Sequence, residues 1–344
     1  MKSKICRLHG VRDLRVEEIG VEAPAAGEVL ISVGYGGICG SDLHYYIDGG
    51  IGPIRVTEPI IIGHEAAGTI EQVGAGVTDL AVGDVVAINP SQPCDQCSRC
   101  EQGMRQHCFN MRFLGSARTT PHVQGAFREK FVVDARQCEK VGAELSLAEA
   151  ACSEPLAVCL HARNQAGDLA GKRVLVTGAG PIGSLCAAVS AQAGAKDIVI
   201  TDLHDFPLSV GVEMGATAGI NVDKEPDALS GEADEKLFDV VFECSASEAA
   251  LRSAIAMLRP RGTLVQVGVA GDRNLPLNQI VGKEIRFVGT HRFDAEFQEA
   301  AQLINEGAIN VKPLITQTYA LKDAGIAFEM ATDRTQAVKV QLAF

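Results

Sequence analysis

Residues 172–202 read KRVLVTGAGPIGSLCAAVSAQAGAKDIVITD. A β-branched run, a glycine-rich turn, an Ala-rich segment and a second β-branched run predict strand, tight turn, helix and strand. Gly178, Gly180 and Gly183 stand at the turn in the G-x-G-x-x-G order. The first glycine permits the turn, the second lets backbone approach a pyrophosphate, and the third lets helix pack on strand. Pro181 and Ile182 complete the turn, and the helix that opens there offers unpaired N–H groups to phosphates. Asp202, about twenty residues on, is placed to accept bonds from ribose hydroxyls and to repel a 2′-phosphate. The following residues, LHDFPL, hold no Lys or Arg that would welcome that phosphate. These features predict a dinucleotide site that prefers NAD to NADP.

FDVVFECSASEAALRSAIAMLRPRGTLVQVGVAG, from Phe238 onward, repeats the strand–helix–strand texture. Such alternation predicts a doubly wound parallel sheet covered on both faces, a Rossmann-type α/β unit. Upstream of about residue 150 the texture is different. EVLISVGYGGICG and GTIEQVGAGVTDLAVGDVVAI are short β-branched runs between turns, which predict a β-rich, barrel-like unit. After about residue 290 the chain returns to mixed helix and a final strand, QAVKVQLAF. The expected organisation is a β-rich domain of residues 1–153 and 290–344 with the α/β domain, 154–289, inserted.

A formal net charge of −12 over 344 residues argues against nucleic-acid or anionic-membrane surfaces. No apolar run reaches the roughly 18 residues of a membrane span, and the charged N-terminus MKSKICRLHGVRDLRVEE does not resemble a secretory signal. Eleven cysteines in such a chain point to reduced thiols in the cytoplasm. Four of them crowd into CDQCSRCEQGMRQHC: Cys94, Cys97, Cys100 and Cys108. Disulfides are the weakest explanation there, and a metal is favoured. An iron–sulfur cluster fits poorly, because seven residues separate the last two cysteines and Phe109, not proline, follows.

Other metal-capable side chains sit in three distant segments: Cys39 in GGICGSDLHYY, His64 and Glu65 in IIGHEAAG, and Glu154 in CSEPLAV. A thiolate, an imidazole and a carboxylate suit tetrahedral zinc with one open position. Taken singly, each has an ordinary explanation: a buried small thiol, a core histidine and a helix N-terminal charge. Together, in a chain with a nicotinamide-type fold, the metal reading gains.

With these segments, GAGPIG and the terminal KVQLAF in order, the whole chain resembles the zinc-dependent medium-chain dehydrogenases of the polyol group. AINPSQPC, MRFLGSA with PHVQGAF, and TQAVKVQLAF resemble the branch that oxidises the sugar acid L-idonate. The resemblance implies a GroES-like catalytic domain and two zinc ions per chain. One would be catalytic, on Cys39, His64 and Glu154, with Glu65 adjacent or exchanging. The other would be structural, in a lobe at about 90–110, on Cys94, Cys97, Cys100 and Cys108. It further implies that Ser41 and His44 carry away the proton of a secondary alcohol through a cofactor ribose hydroxyl, and that Tyr45 and Arg292 face the substrate.

An aldonate needs a cation for its carboxylate, which Arg292 could supply, assisted by Arg112, Arg118 or His122. The expected reaction is oxidation of L-idonate to 5-keto-D-gluconate. A sorbitol- or xylitol-type polyol dehydrogenase is the alternative, and a catalytically silent nucleotide-binding relative the reading from another class. Relatives imply a homotetramer or dimer. The other cysteines, Cys6, Cys138, Cys152, Cys159, Cys186 and Cys244, are expected to be buried small side chains.

Overall fold

The computed structural model describes residues 1–230, 236–269 and 271–344. Six parallel strands form one sheet, in the spatial order Ala218–Asn221, Asp197–Asp202, Arg173–Thr177, Phe238–Glu243, Leu258–Gln266 and Arg286–Gly289. Numbered by sequence within this sheet, the order is 3-2-1-4-5-6, the Rossmann arrangement. Val174, Leu175, Val176, Val240, Val241 and Phe242 are all buried, as expected of strands covered on both faces. The order reverses between Arg173–Thr177 and Phe238–Glu243, which opens the crevice where such sheets bind ligands.

The second large sheet is seven-stranded and mostly antiparallel. Its centre is Glu28–Gly37, which pairs with Glu65–Val73, with Lys130–Asp134 and with the last strand, Lys339–Ala343. Gly37 lies opposite both Glu65 and Gln341. This register gathers three sequence-distant segments at one end of the sheet. Helix Gly40–Asp48 starts just beyond Gly37, and His64 just precedes Glu65.

Helix Ser153–Ala166 joins the two units. It is buried on most sides, packing on helices Pro181–Gln192 and Glu296–Asn305 and on strand Glu65–Val73. One continuous core cluster contains Ala67 and Ala87 of the antiparallel sheet, Leu156 and Leu160 of this helix, and Val174 and Val176 of the parallel sheet. The α/β sheet and the β-rich unit are therefore welded across apolar surface.

The cysteine lobe hangs from a two-stranded ribbon, Ser91–Gln92 with Arg112–Phe113. Its apolar content is Cys100, Cys108, Met111 and Phe113, too little to hold a loop by burial alone. Of the six remaining cysteines, Cys6, Cys152, Cys159 and Cys186 are buried, whereas Cys138 and Cys244 are only partly so. Cys138 lies on the edge strand of the antiparallel sheet, and Cys244 lies just past a strand end that faces the crevice. Among the described residues no helix is long and apolar enough to cross a membrane.

Candidate active site

Cys39 caps helix Gly40–Asp48, and the Asp42 carboxylate fixes its backbone: Asp42 Oδ2 accepts from Cys39 N at 3.0 Å. The other oxygen, Oδ1, accepts from Gly63 N at 3.0 Å and lies 3.7 Å from His64 Nδ1. Asp42 thus ties the two segments together and faces one nitrogen of His64, leaving the other for a ligand. Partner carboxylates of this kind orient metal-binding histidines. Glu65 joins from the strand, and the ligand atoms of Cys39, His64 and Glu65 all lie within 4.8 Å of one another. There is room for the Glu65 carboxylate because a Cβ on Gly37 would stand 2.0 Å from its Oε2.

Glu154, in the first turn of helix Ser153–Ala166, lies outside that 4.8 Å cluster yet feels the charges of His64, Glu65 and Cys39. Burial, foremost, pushes its carboxyl up to about 8. Burial and the Glu65 charge push the Cys39 thiol up to about 11. Three groups that become anionic, plus buried Asp42, are crowded where anions are costly. That donor set fits a divalent cation held by sulfur, nitrogen and oxygen, whose binding would release the thiol proton.

Lys339 completes the cluster from the last strand. Its Nζ donates to both Glu65 oxygens, at 2.8 and 2.6 Å, and to Ile38 O at 3.2 Å. Burial works against its charge, but Glu65 and then the Cys39 sulfur raise its pKa above the ordinary value. Neither Asp42 nor Lys339 was expected from the sequence. Asp42 stands three residues after the helix cap, the capping-box spacing, and Lys339 is the lone cation in an apolar strand. Both signals were available.

Ser41 stands in the first turn of the helix that Cys39 caps, and against the larger effect of burial its side chain slightly lowers the Cys39 thiol pKa. His44 projects to solvent one turn along the helix, its Nδ1 3.0 Å from Asp48 Oδ2. Tyr45 is buried, and its hydroxyl accepts from Ala117 N at 3.2 Å, which fixes the loop after Phe113. The Phe113 ring packs against His64, with centroids 5.5 Å apart, and carries the Arg292 guanidinium 4.0 Å from its own centroid. Arg292 sits at φ 54°, and its buried Nη1 has no hydrogen-bond partner. A non-glycine residue in that conformation costs about 1–3 kcal/mol, which the surrounding structure must hold.

Burial and then the Arg118 charge lower the Arg292 pKa, while Glu154 raises it. Arg118 is exposed on the neighbouring loop. His122 is spent on that loop instead: it is buried, with Nε2 accepting from Thr57 N at 3.0 Å and Nδ1 2.7 Å from Thr119 O. Arg112 lies on the short ribbon beside Phe113 and is exposed.

In the lobe, Sγ–Sγ separations are 3.5 Å for Cys97–Cys100, 3.9 Å for Cys97–Cys108 and 3.4 Å for Cys94–Cys108. A tetrahedron with zinc–sulfur bonds of about 2.3 Å has edges of about 3.8 Å, so the four thiols fit zinc. Backbone N–H groups of Cys100 and Phe109 push the Cys97 thiol down to about 6, favouring the thiolate that a metal takes. All eleven cysteines are free thiols. The lobe also touches the Arg292 segment: His107 stacks on His291 at 5.4 Å, and Arg105 Nε lies 3.8 Å from Asp294 Oδ1.

At the glycine turn, Gly178 has φ 88° and Gly180 caps helix Pro181–Gln192. A Cβ on Gly183 would lie 1.7 Å from Gly178 O, so only glycine lets helix and strand meet there. Asp202 braces the turn: Oδ2 accepts from Ala179 N at 2.8 Å, and Oδ1 from Leu203 N at 2.7 Å and His204 N at 3.1 Å. Arg334 Nη1, from beyond the last helix, comes within 3.7 Å of where a Gly180 Cβ would stand, a cation over the phosphate turn that sequence reasoning missed.

Residues 25–143 match the alcohol dehydrogenase GroES-like domain family, and residues 181–306 the zinc-binding dehydrogenase family. The chain is 39% identical over 345 residues to L-idonate 5-dehydrogenase (NAD(P)(+)) of Escherichia coli strain K12, covering 100% of this chain and 99% of that protein. It is 35% identical over 345 residues to sorbitol dehydrogenase of Bacillus subtilis strain 168, covering 98% and 96%. A crystal structure of L-idonate 5-dehydrogenase from Escherichia coli K-12 superposes with a TM-score of 0.93 at 38% identity, covering 100% of this chain and 99% of that one.

Proposed function

The chain belongs to the zinc-binding alcohol dehydrogenases, and from that membership we propose that it oxidises L-idonate at C5 to 5-keto-D-gluconate with NAD⁺. The observation that carries the substrate reading is Arg292. Its unpaired, buried guanidinium nitrogen lies over Phe113, whose ring packs on His64 of the metal cluster. A cation awaiting a carboxylate thus stands beside the group that handles the alcohol.

Cys39 and His64 would hold the catalytic zinc, with Glu65 in the same cluster and Glu154 facing it. Cys94, Cys97, Cys100 and Cys108 would hold a second zinc. Bound here, zinc would polarise the hydroxyl oxygen and NAD⁺ would accept the hydride from carbon, leaving the ketone. Ser41 would receive the hydroxyl proton while passing its own on through a cofactor ribose hydroxyl, and His44, aligned by Asp48, would deliver it to solvent. Arg292, with the Arg118 charge behind it, seats the carboxylate, and Tyr45 holds the loop that walls the cleft. Asp202 selects NAD over NADP.

A neutral polyol is the competing substrate, favoured by the sorbitol dehydrogenase relative. Steady-state kcat/KM for L-idonate, sorbitol and xylitol decides between them. A charge-assisted bidentate contact is worth about 1.5–3 kcal/mol, so idonate should lead by about 10–150-fold. A sorbitol lead of that size overturns the substrate reading.

The outer strand Arg286–Gly289, with exposed Phe287 and nearby exposed Val281 and Leu277, suits pairing with a second copy, so we expect a dimer or tetramer by light scattering. Free thiols throughout fit a cytoplasmic setting.

A further inference from the structure

Three thiols from three elements meet beneath the nucleotide turn. Cys159, on helix Ser153–Ala166, donates to Ile182 O at 3.4 Å, in the turn itself. Cys186 is buried on helix Pro181–Gln192, and Cys244, just past strand Phe238–Glu243, donates to the Cys186 sulfur at 3.9 Å. The contact links the first half of the parallel sheet, through its leading helix, to the second half, across the point where the strand order reverses. Neither metal cluster uses these sulfurs.

The two sulfurs of the pair differ as an oxidisable pair requires. Cys244 is reachable, being only partly buried and next to exposed Ser245. Cys186 is shielded, and the side chains of Cys159 and Cys244 hold its thiol below the ordinary range, although burial opposes them. A reachable sulfur in contact with a thiolate-prone neighbour is the arrangement of sensor and resolving cysteines. The backbone beside them is the phosphate turn. Cys244 N donates to Thr177 O at 2.9 Å, and a Cβ on Gly178 would meet Ser245 Cα at 3.0 Å. Cys186 stands three residues after Gly183, on the helix face that this glycine presses onto the strand.

We propose that Cys186 and Cys244 are a modification site: a hydroperoxide oxidises the pair to a disulfide, which draws helix and strand end together beneath the phosphate turn and weakens dinucleotide binding. Cys244 passes its proton along the S–H···S contact to the Cys186 thiolate as its own sulfur attacks the peroxide. The O–O bond breaks, Cys244 becomes a sulfenic acid, and the departing alkoxide takes back from solvent the proton that Cys186 lost on ionising. The Cys186 sulfur then displaces the sulfenic hydroxyl, which leaves with the Cys186 proton as water. Two thiols and one hydroperoxide thus give one disulfide, one alcohol and one water. A disulfide is about 2.05 Å long, so sulfurs now 3.9 Å apart close by about 2 Å. Gly183 has no clearance from Gly178 O, where a Cβ would stand at 1.7 Å, so the helix cannot move in without displacing the turn. The effect on binding rests on the cofactor assignment made above; the linkage itself does not.

Zinc-loaded wild type, Cys186→Ala and Cys244→Ala are treated with hydrogen peroxide and alkylated. Linked peptides are then read by mass spectrometry, alongside zinc content and NADH titration. In wild type we expect the 186–244 linkage with zinc retained. The NADH Kd should rise by about 10–150-fold, the loss of one charge-assisted hydrogen bond to a phosphate, and recover with dithiothreitol. C186A and C244A should keep their NADH affinity under the same treatment. In a dithiol redox buffer, saturating NADH should favour the reduced pair by the same factor, and no shift overturns the proposal. So do an absent 186–244 linkage, a 159–186 linkage in its place, and a linkage that leaves Kd unchanged. Equal loss of affinity in C244A, or zinc released in step with that loss, makes the metal-bound thiols the target and overturns it too. Should C186A fail to fold, C244A decides alone. Untreated wild type that does not bind NADH would defeat the cofactor reading and the binding half of this proposal, while the linkage stands or falls on the mass.

Discussion

Asp202→Asn is the substitution whose outcome tests most of the cofactor reading. In the structure both Asp202 oxygens already work for the backbone, accepting from Ala179, Leu203 and His204. Asn keeps one oxygen for Leu203 and His204, but its amide turns a donor toward Ala179 N. An unpaired N–H costs about 1–3 kcal/mol when buried, and Ala179 is buried. A modest loss of thermal stability is therefore expected with either cofactor. The cofactor terms point in opposite directions. A ribose hydroxyl loses a charge-assisted bond worth about 1.5–3 kcal/mol, lowering kcat/KM for NAD⁺ by about 10–150-fold. A 2′-phosphate escapes a like charge about 4 Å away, worth about 1–4 kcal/mol between surface and bulk dielectric. The NAD⁺/NADP⁺ ratio of kcat/KM should fall by on the order of 10²–10⁵, with direct titration of NADH and NADPH showing the same trend in Kd. Equal losses for both cofactors would mean that Asp202 only braces the turn, and the account of nucleotide choice would be wrong.

Gly183→Ala places a methyl 1.7 Å from Gly178 O, so the turn must open. Thermal denaturation should show a drop of several degrees and NADH binding should be lost, whereas normal binding would show that the turn has slack it does not display. Cys97→Ser breaks the four-thiol lobe, and metal analysis should fall from two zinc ions per chain to one. Because His107 and Arg105 of that lobe touch the segment bearing Arg292, KM for the sugar acid should rise more than kcat falls, and an unchanged KM would disconnect the lobe from the cleft. Glu296 is pushed down to about 2: burial opposes its charge, but bonds from His161, the backbone and Asn164 outweigh it. Its folded pKa is depressed, so its contribution is full above the unfolded value near 4.3 and is lost as pH falls toward about 2. The Tm difference between wild type and Glu296→Gln should be largest near neutrality and shrink below about pH 4.5, and a gap that widens in acid would refute this.

Much of the α/β sheet was legible because its constraints are local. The glycine turn at 178–183 states its own geometry within six residues, and strand and helix periods flank it. The lobe was legible for the same reason: four cysteines within fifteen residues leave few options, and the sulfur separations agree with the zinc expectation. The catalytic cluster was legible only in part. Cys39, His64 and Glu65 come together, but whether Glu154 enters at bonding distance depends on how helix Ser153–Ala166 docks, which no local pattern encodes. Asp42 and Lys339 are harder still, since a charged residue means nothing until its partner is known, and the partner of Lys339 lies 274 residues away. His122 shows the converse: a plausible substrate contact by sequence, it is consumed in holding its own loop.

The pairing of Gly37 with Gln341 has a consequence for how the molecule is made. Roughly 300 residues separate the two, and at about 5–20 residues per second a ribosome needs about 15–60 s to cover that distance. Throughout that interval the rim formed by Tyr35, Gly36 and Gly37 is bare on one side, and Glu65 waits without its ammonium partner. Assembly of the reactive pocket is therefore postponed until the nascent chain is nearly finished, and premature capture of stray cations or neighbouring strands is a hazard confined to that window.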